Sequence, residues 1–372
     1  MRRLAPARTD SSTVRHERTK PAKDQLPHTV IRLALVNRGR NDVCSSTLAN
    51  DSSHNRDFAF RWQKTEISNT LEINPFSRSE VAYSPEAWTG EILSALSRSI
   101  HQGANVICFG EFDYPPFPDT DEGRANEKAF EAEALKRING ADAPVFAILG
   151  SHHRVSKLSG RNSDWTGPLA QNVAKIALSD ALKGTGKAIR EVLKRTPASK
   201  AGELLTGIHG IDMEVFDTII GKFGVVICSD AYDPSIVLEY FAHSGHVEYK
   251  RDVILVPSYN KSAKLSHMCQ ALSLMARSVV VMVDVCREHS QALGPFEKSS
   301  VWVCGIPVGS ATEAVLYGDK HKVCRWIAEE EGDGVTIRVL ELTLPALDNF
   351  IDHMDTVDPL PLFASVLGAK WG

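Results

Sequence analysis

Short runs of consecutive apolar residues, separated by stretches with helical periodicity, narrow the folds open to this chain more than any other feature. They are Val30 to Val36, Ala104 to Phe109, Val145 to Leu149, Val225 to Ile227, Val253 to Val256 and Val279 to Val283. Apolar residues in unbroken succession suit strands buried on both faces, the pattern of a parallel sheet covered by helices. In open sheets of that kind, the groups that do chemistry sit just beyond the carboxyl ends of the strands. The residues that close these runs are therefore the first place to look for function.

Between the runs lie helix signals. Ser84-Pro85-Glu86 combines a capping hydroxyl, a proline at the first helical position and an acid in the first turn. Trp88, Ile92, Leu93, Leu96 and Ile100 then share one helical face, and Gly103 can end the helix in a left-handed conformation. Glu122 to Ile138 reads as a charged amphipathic helix. A third helix runs from Pro234 to His243, and a fourth, with Leu265, Met268, Leu272 and Met275, leads to Arg277. Asn172 to Leu178, Val301 to Cys304, Ala314 to Leu316 and Val335 to Leu342 read as further strands. Gly184 to Leu205 is a basic piece broken by Pro197. This alternation, with no Gly/Ser linker, predicts a single α/β domain over 29–345. Residues 1–28 are expected to form a flexible leader, 37–83 a polar insert with an edge strand at Phe58, Phe60 and Trp62, and 346–372 a tail.

Bulk properties exclude several function classes. A formal net charge of −4 over 372 residues offers no general attraction to nucleic acid or to an anionic membrane. No stretch approaches the roughly 20 apolar residues that span a bilayer, and the basic start lacks the apolar core of a secretory signal. The Cys residues, 7 in number, form no C-x-x-C pair and lie in apolar segments, which suits a reducing compartment. The expectation is a cytoplasmic enzyme with a small-molecule substrate.

Cys228 closes the run Val225-Val226-Ile227 within Val215 to Pro234, VFDTIIGKFGVVICSDAYDP. A cysteine in such a run is by itself more often a small buried hydrophobe than a nucleophile. Its surroundings change that reading. The order G-x-x-G-V-x-I-C-x-D-x-x-x-P resembles the nucleophile signature of the carbon–nitrogen hydrolase superfamily, the nitrilase-like amidases. Glu111 in NVICFGEFDYPP resembles that family's strand-end glutamate, and Lys194 in EVLKRTPASKAGE the lysine that follows a strand and a glycine-containing turn. Downstream, VILVPSYN, LMARSVVVMVDV and SSVWVCGIPVG resemble later family segments, so that the likeness spans about residues 30 to 342.

The resemblance implies a four-layer α-β-β-α sandwich, no cofactor and no metal, and assembly as a homodimer or higher homo-oligomer. It implies hydrolysis of a non-peptide C–N bond in a small amide or carbamoyl compound through a thioester. Cys228 would attack, Glu111 would relay protons, Lys194 and the Ser229 N–H would hold the oxyanion, and Glu203 would orient Lys194 or substrate. Ser229, His153, Trp165 and Tyr232 would line the substrate site; Lys187 or Lys200 would replace Lys194 should that match fail. His152-His153 and His243 with His246 lack acid or thiol partners at zinc spacing. Asp230 and Arg277 read as structural groups at strand ends. The chain departs from the family pattern at Gly110, where proline is usual, at Ser229, where an aromatic is common, and at Asp284, where asparagine is common. Acyl transfer to an amine on the same fold, or a lapsed module that binds a protein partner, are the alternative readings.

Overall fold

The computed structural model describes residues 30–38, 62–63, 72–73, 85–115, 117, 120–156, 169–196, 215–236, 251–259, 263–284, 300–308, 314–315, 322–332 and 335–344. The leader, the tail, most of the insert, and Trp165, Lys200, Glu203, His243 and His246 lie outside the described residues. Strand β1 (Val30–Arg38) is followed by a two-residue pair, β2 (Trp62–Gln63) and β3 (Glu72–Ile73), and by helix α1 (Pro85–His101). Then come β4 (Val106–Phe109), α2 (Asp121–Asn139), β5 (Phe146–Ser156), β6 (Leu169–Leu178), the one-turn α3 (Asp180–Lys183) and β7 (Ile189–Leu193). The second half runs β8 (Phe216–Thr218), β9 (Gly221–Val225), β10 (Val253–Ser258), α4 (Ala263–Ala276) and β11 (Val279–Asp284). It closes with β12 (Val301–Val303), β13 (Ile306–Pro307), β14 (Ala314–Val315), β15 (Lys322–Gly332) and β16 (Val335–Thr343).

These strands form two main sheets, one ordered β14-β15-β16-β1-β4-β5-β6-β7 and the other β13-β12-β11-β10-β9-β8. Each is built on the same plan. Three parallel strands, β1-β4-β5 in one and β9-β10-β11 in the other, are flanked on both sides by antiparallel neighbours. The parallel strands are the ones whose apolar runs predicted burial on both faces. On β1 and β4, Leu33, Leu35, Val106 and Cys108 pack between the sheets, while Ala34, Val36, Ile107 and Phe109 pack beneath the helices.

Helices α1 and α2 cover the outer face of the larger sheet with Trp88, Ile92, Leu96, Phe130, Ala134 and Ile138. Each large side chain sealed in this way contributes roughly 1.5–3 kcal/mol. The Thr120 hydroxyl caps α2 by accepting from the Gly123 N–H at 3.0 Å. Helix α4 lies against the smaller sheet through Leu265, Cys269, Leu272 and Ala276. Between the sheets, the Phe146 ring stacks on Phe223 with centroids 4.7 Å apart and meets Phe216 edge-on at 5.4 Å. That aromatic trio ties the two halves together across the interior.

Several boundaries depart from the sequence-based expectation. Strand β5 continues through Gly150, Ser151, His152 and His153, because its antiparallel partner β6 keeps pairing beyond a bulge between Ile148 and Ser151. Strand β10 runs on through Pro257 to Ser258, two residues beyond the run Val253 to Val256. Part of the basic piece is strand β7. Strand β15 was not anticipated: its residues alternate between exposed and half-buried from Arg325 onward, and its sheet identity comes from pairing with β16 across an irregularity at Trp326 and Ala328. Among the described residues no helix is long and apolar enough to cross a membrane.

Candidate active site

Three strand ends from two sheets meet at one buried point. After β4 the chain turns sharply: the Gly110 N–H donates to Asp113 Oδ2 at 2.8 Å, and the Asp113 N–H reaches back toward the Gly110 carbonyl at 3.4 Å. The Asp113 carbonyl in turn accepts from Trp88 Nε1 at 2.8 Å, fastening the loop to α1. Phe112 sits at a φ of 64°, a left-handed conformation uncommon for an aromatic residue and retained where surrounding contacts over-determine it. The result aims Glu111 inward, leaving its side chain 2% exposed.

Lys194 arrives from the other end of the same sheet. Its main-chain N–H donates to the Asn172 carbonyl at 2.8 Å, extending the β6–β7 ladder by one bond. Its ammonium lies 2.7 Å from Glu111 Oε1, with the lysine side chain 1% exposed. Asn172 Nδ2 donates to the same oxygen at 2.8 Å, and the Tyr259 N–H donates to Oε2 at 3.1 Å. The carboxylate thus receives three donors in a buried site.

Cys228 comes from the smaller sheet. Beyond β9 the chain passes through Val226 and Ile227 and enters a 3-10 turn, Cys228–Tyr232, in which Cys228 adopts a φ of 45°. That conformation places the thiol where Glu111, Lys194 and the Tyr259 N–H all act on its proton. Burial first, and the Glu111 charge second, push the thiol well up from its ordinary range, while Lys194 and the Tyr259 N–H act in the opposite direction. At rest the sulfur carries its proton.

A second set of bonds locks the lysine strand to the Cys228 turn. Asp230 Oδ1 accepts from the Arg195 N–H at 2.9 Å and from the Thr196 N–H at 2.7 Å. Ser229 Oγ donates to the Thr196 carbonyl at 2.5 Å, and Thr196 Oγ1 donates to Asp233 Oδ2 at 2.7 Å. Burial, ahead of these opposing bonds, pushes the Asp230 carboxyl up to about 7. Since the bonds cross from one sheet to the other, Lys194 and Cys228 are held as one unit.

Of the residues named from sequence, Glu111, Lys194 and Cys228 converge, with Ser229 beside Cys228 and Tyr232 exposed at the end of its turn. Lys187 is exposed in the approach to β7. His153 lies on β5, paired with Asn172 in the ladder. Trp165, Lys200 and Glu203 fall outside the described residues. Sequence reasoning missed Asn172 and Tyr259 as parts of the site. A signal existed for Asn172: it shares a strand face with Ala174, Ile176 and Leu178, which pack between the sheets, and a polar residue on that face needs a partner. Nothing marked Tyr259, which contributes its main-chain N–H. Among the described residues no group of 3 or more His, Cys, Asp or Glu is arranged to hold a metal ion.

No protein-family model and no curated protein matches this sequence. Solved structures do. Nit3 of Saccharomyces cerevisiae, a member of branch 10 of the nitrilase superfamily, is similar at a TM-score of 0.51 and 14% identity over 89% of this chain and 96% of its own. An amidase from Nesterenkonia sp. is similar at 0.48 and 12% over 87% and 94%, and the NitFhit protein of C. elegans at 0.45 and 14% over 73% and 61%. The likeness to Nit3 shows the fold: this chain has the fold of the carbon–nitrogen hydrolases, with two sheets and few helices.

Proposed function

We propose that this chain is a cysteine-dependent hydrolase of a C–N bond in a small amide or carbamoyl compound, working through a thioester within one four-layer α-β-β-α domain over 29–345. The observation that carries the reading is the buried Glu111–Lys194 pair, 2.7 Å apart, with the buried Cys228 thiol within reach of both charges. Amide hydrolysis by a thiol needs a proton acceptor beside the sulfur and fixed positive or N–H groups where the carbonyl oxygen gathers charge. Those groups stand together here on rigid strand ends.

In the proposed sequence Glu111 accepts the thiol proton as the sulfur's electron pair forms a bond to the carbonyl carbon. The C=O π pair moves to oxygen, where Lys194 and the Ser229 N–H offset the charge. Collapse of the tetrahedral species breaks the C–N bond, and Glu111 delivers its proton to the departing nitrogen. Water then attacks the thioester, giving its proton to Glu111, which returns it to the leaving sulfur. A well-placed oxyanion donor contributes on the order of 3 kcal/mol to such a barrier. Strand-end placement of Ser229-Asp230 after the cysteine, where true nitrilases tend to carry Trp-Glu, favours amide or carbamoyl substrates over nitriles.

The test is a panel of small amides and carbamoyl compounds assayed for ammonia release by the full chain. At least one member is expected to be turned over, with Cys228→Ala abolishing both turnover and iodoacetamide labelling at that position. Full turnover by Cys228→Ala would end the proposal.

A further inference from the structure

We infer that Asn172 is a positioning residue that decides which oxygen of Glu111 exchanges protons with Cys228. This rests on the proposed role of Glu111 as the proton acceptor. A carboxylate oxygen offers two lone pairs in its plane. On Oε1 both are taken, one by Lys194 Nζ at 2.7 Å and one by Asn172 Nδ2 at 2.8 Å. Oε2 accepts the Tyr259 N–H at 3.1 Å, and among the described residues no other donor takes its second position. The thiol proton is therefore received at Oε2: the S–H bond breaks, an O–H bond forms on Oε2, and the sulfur keeps the pair that makes the bond to substrate carbon.

Asn172 suits this task in three ways. It is fully buried, so its amide has no competing water. It is neutral, so it occupies Oε1 without adding a second cation beside Lys194, which would hold the carboxylate too firmly ionised to accept a proton. And its own carbonyl receives the Lys194 main-chain N–H at 2.8 Å, so that one residue seats the carboxylate with its side chain and the lysine with its backbone. Without the Asn172 amide, Glu111 would gain an open position on Oε1 to compete with the one on Oε2.

The experiment follows the rate of iodoacetamide alkylation at Cys228 across about pH 5 to 9 in the wild type, Asn172→Leu and Asn172→Asp, with far-ultraviolet circular dichroism to check folding. Losing a donor disfavours the ionised carboxylate, so Asn172→Leu should move the acid limb of the profile upward by about one unit. Asn172→Asp keeps the shape but places a second carboxylate against the first, and should move the limb further in the same direction. A residue that merely holds the strands would lower the rate at every pH and leave the limb in place. Limbs coincident with the wild type in both folded variants would overturn the inference. Alkylation is read without a substrate: a wild type that releases no ammonia from any amide yet shows the Asn172-dependent shift defeats the hydrolase proposal alone. A Cys228 alkylated no faster than the fully buried Cys108 at any pH would overturn both.

Discussion

Lys194→Met separates the electrostatics of this site from its packing. The lysine and glutamate side chains are 1% and 2% exposed and their charged atoms lie 2.7 Å apart. Methionine is close to lysine in length, so little cavity opens and the loss reports on charge. What remains on Glu111 is a carboxylate sealed from water with neutral donors, Asn172 Nδ2 and the Tyr259 N–H. Breaking one half of a buried pair costs roughly 3–5 kcal/mol, and two surviving hydrogen bonds hold the figure toward the lower end. Urea unfolding at neutral pH should therefore register a loss of about 3 kcal/mol. In the variant the loss should shrink as the pH falls, because protonating the orphaned carboxylate removes the buried charge. Glu111→Leu combined with Lys194→Met leaves neither charge behind and should recover most of the stability, giving a large coupling energy in the double-mutant cycle. A single-variant loss below about 1 kcal/mol, the range of exposed pairs, or a double variant as damaged as the two singles summed, would refute the buried pair.

The remaining expectations concern the loops that support this pair. A carboxyl whose folded value lies above its ordinary one binds its proton more readily in the folded chain, so Asp230 should contribute progressively less stability as pH rises from 3.8 to about 7. Asp230→Asn keeps the Oδ1 acceptor and cannot ionise; urea midpoints should show that decline flattened, and a variant less stable than the wild type above neutrality would mean that the bonds from Arg195 and Thr196 outweigh burial. Gly150→Ala should cost at least about 2 kcal/mol, since Gly150 has a φ of 99° and a Cβ there would fall 2.5 Å from the Tyr114 nitrogen. Because that contact pushes on the loop carrying Glu111, ammonia release should drop with the thermal midpoint; an unchanged midpoint would count against the close approach.

How much could be read in advance divides along physical lines. Strands buried on both faces, such as β4 and β11, announce themselves by composition. Strands β7 and β15 do not, because half of each faces outward and the pairing partner, not the local residue pattern, makes them strands. The strand-end position of Glu111 was legible for the same reason as β4; the run expected to carry Cys228, Val225 to Ile227, belongs to β9 only at Val225, and Cys228 follows three residues later. Lys194 needed the family resemblance, and Asn172 needed the third dimension, since its partner lies 61 positions away in sequence. One departure from the family pattern also gains a reason. Proline at 110 would remove the N–H that Asp113 Oδ2 accepts at 2.8 Å, so Gly110 and Asp113 form one device.

The placement of the trio carries one further consequence. Glu111 and Lys194 belong to the larger sheet and Cys228 to the smaller, so the distance between acceptor and thiol is set by how the two sheets are registered. Beside the Asn37–Asp284 and Tyr259–Glu111 bonds that cross between the sheets, two sets of contacts help to fix that registry. One is apolar and central, the Phe146 ring against Phe223 and Phe216; the other is polar and peripheral, the bonds from Ser229, Asp230 and Asp233 to residues 195 and 196. Aromatic packing resists approach and separation of the sheets but tolerates sliding, because an offset stack has a broad minimum. Hydrogen bonds are short-ranged and directional, so they resist sliding. The two sets constrain different displacements, and each is needed for three residues from strands so far apart in sequence to hold a reactive geometry.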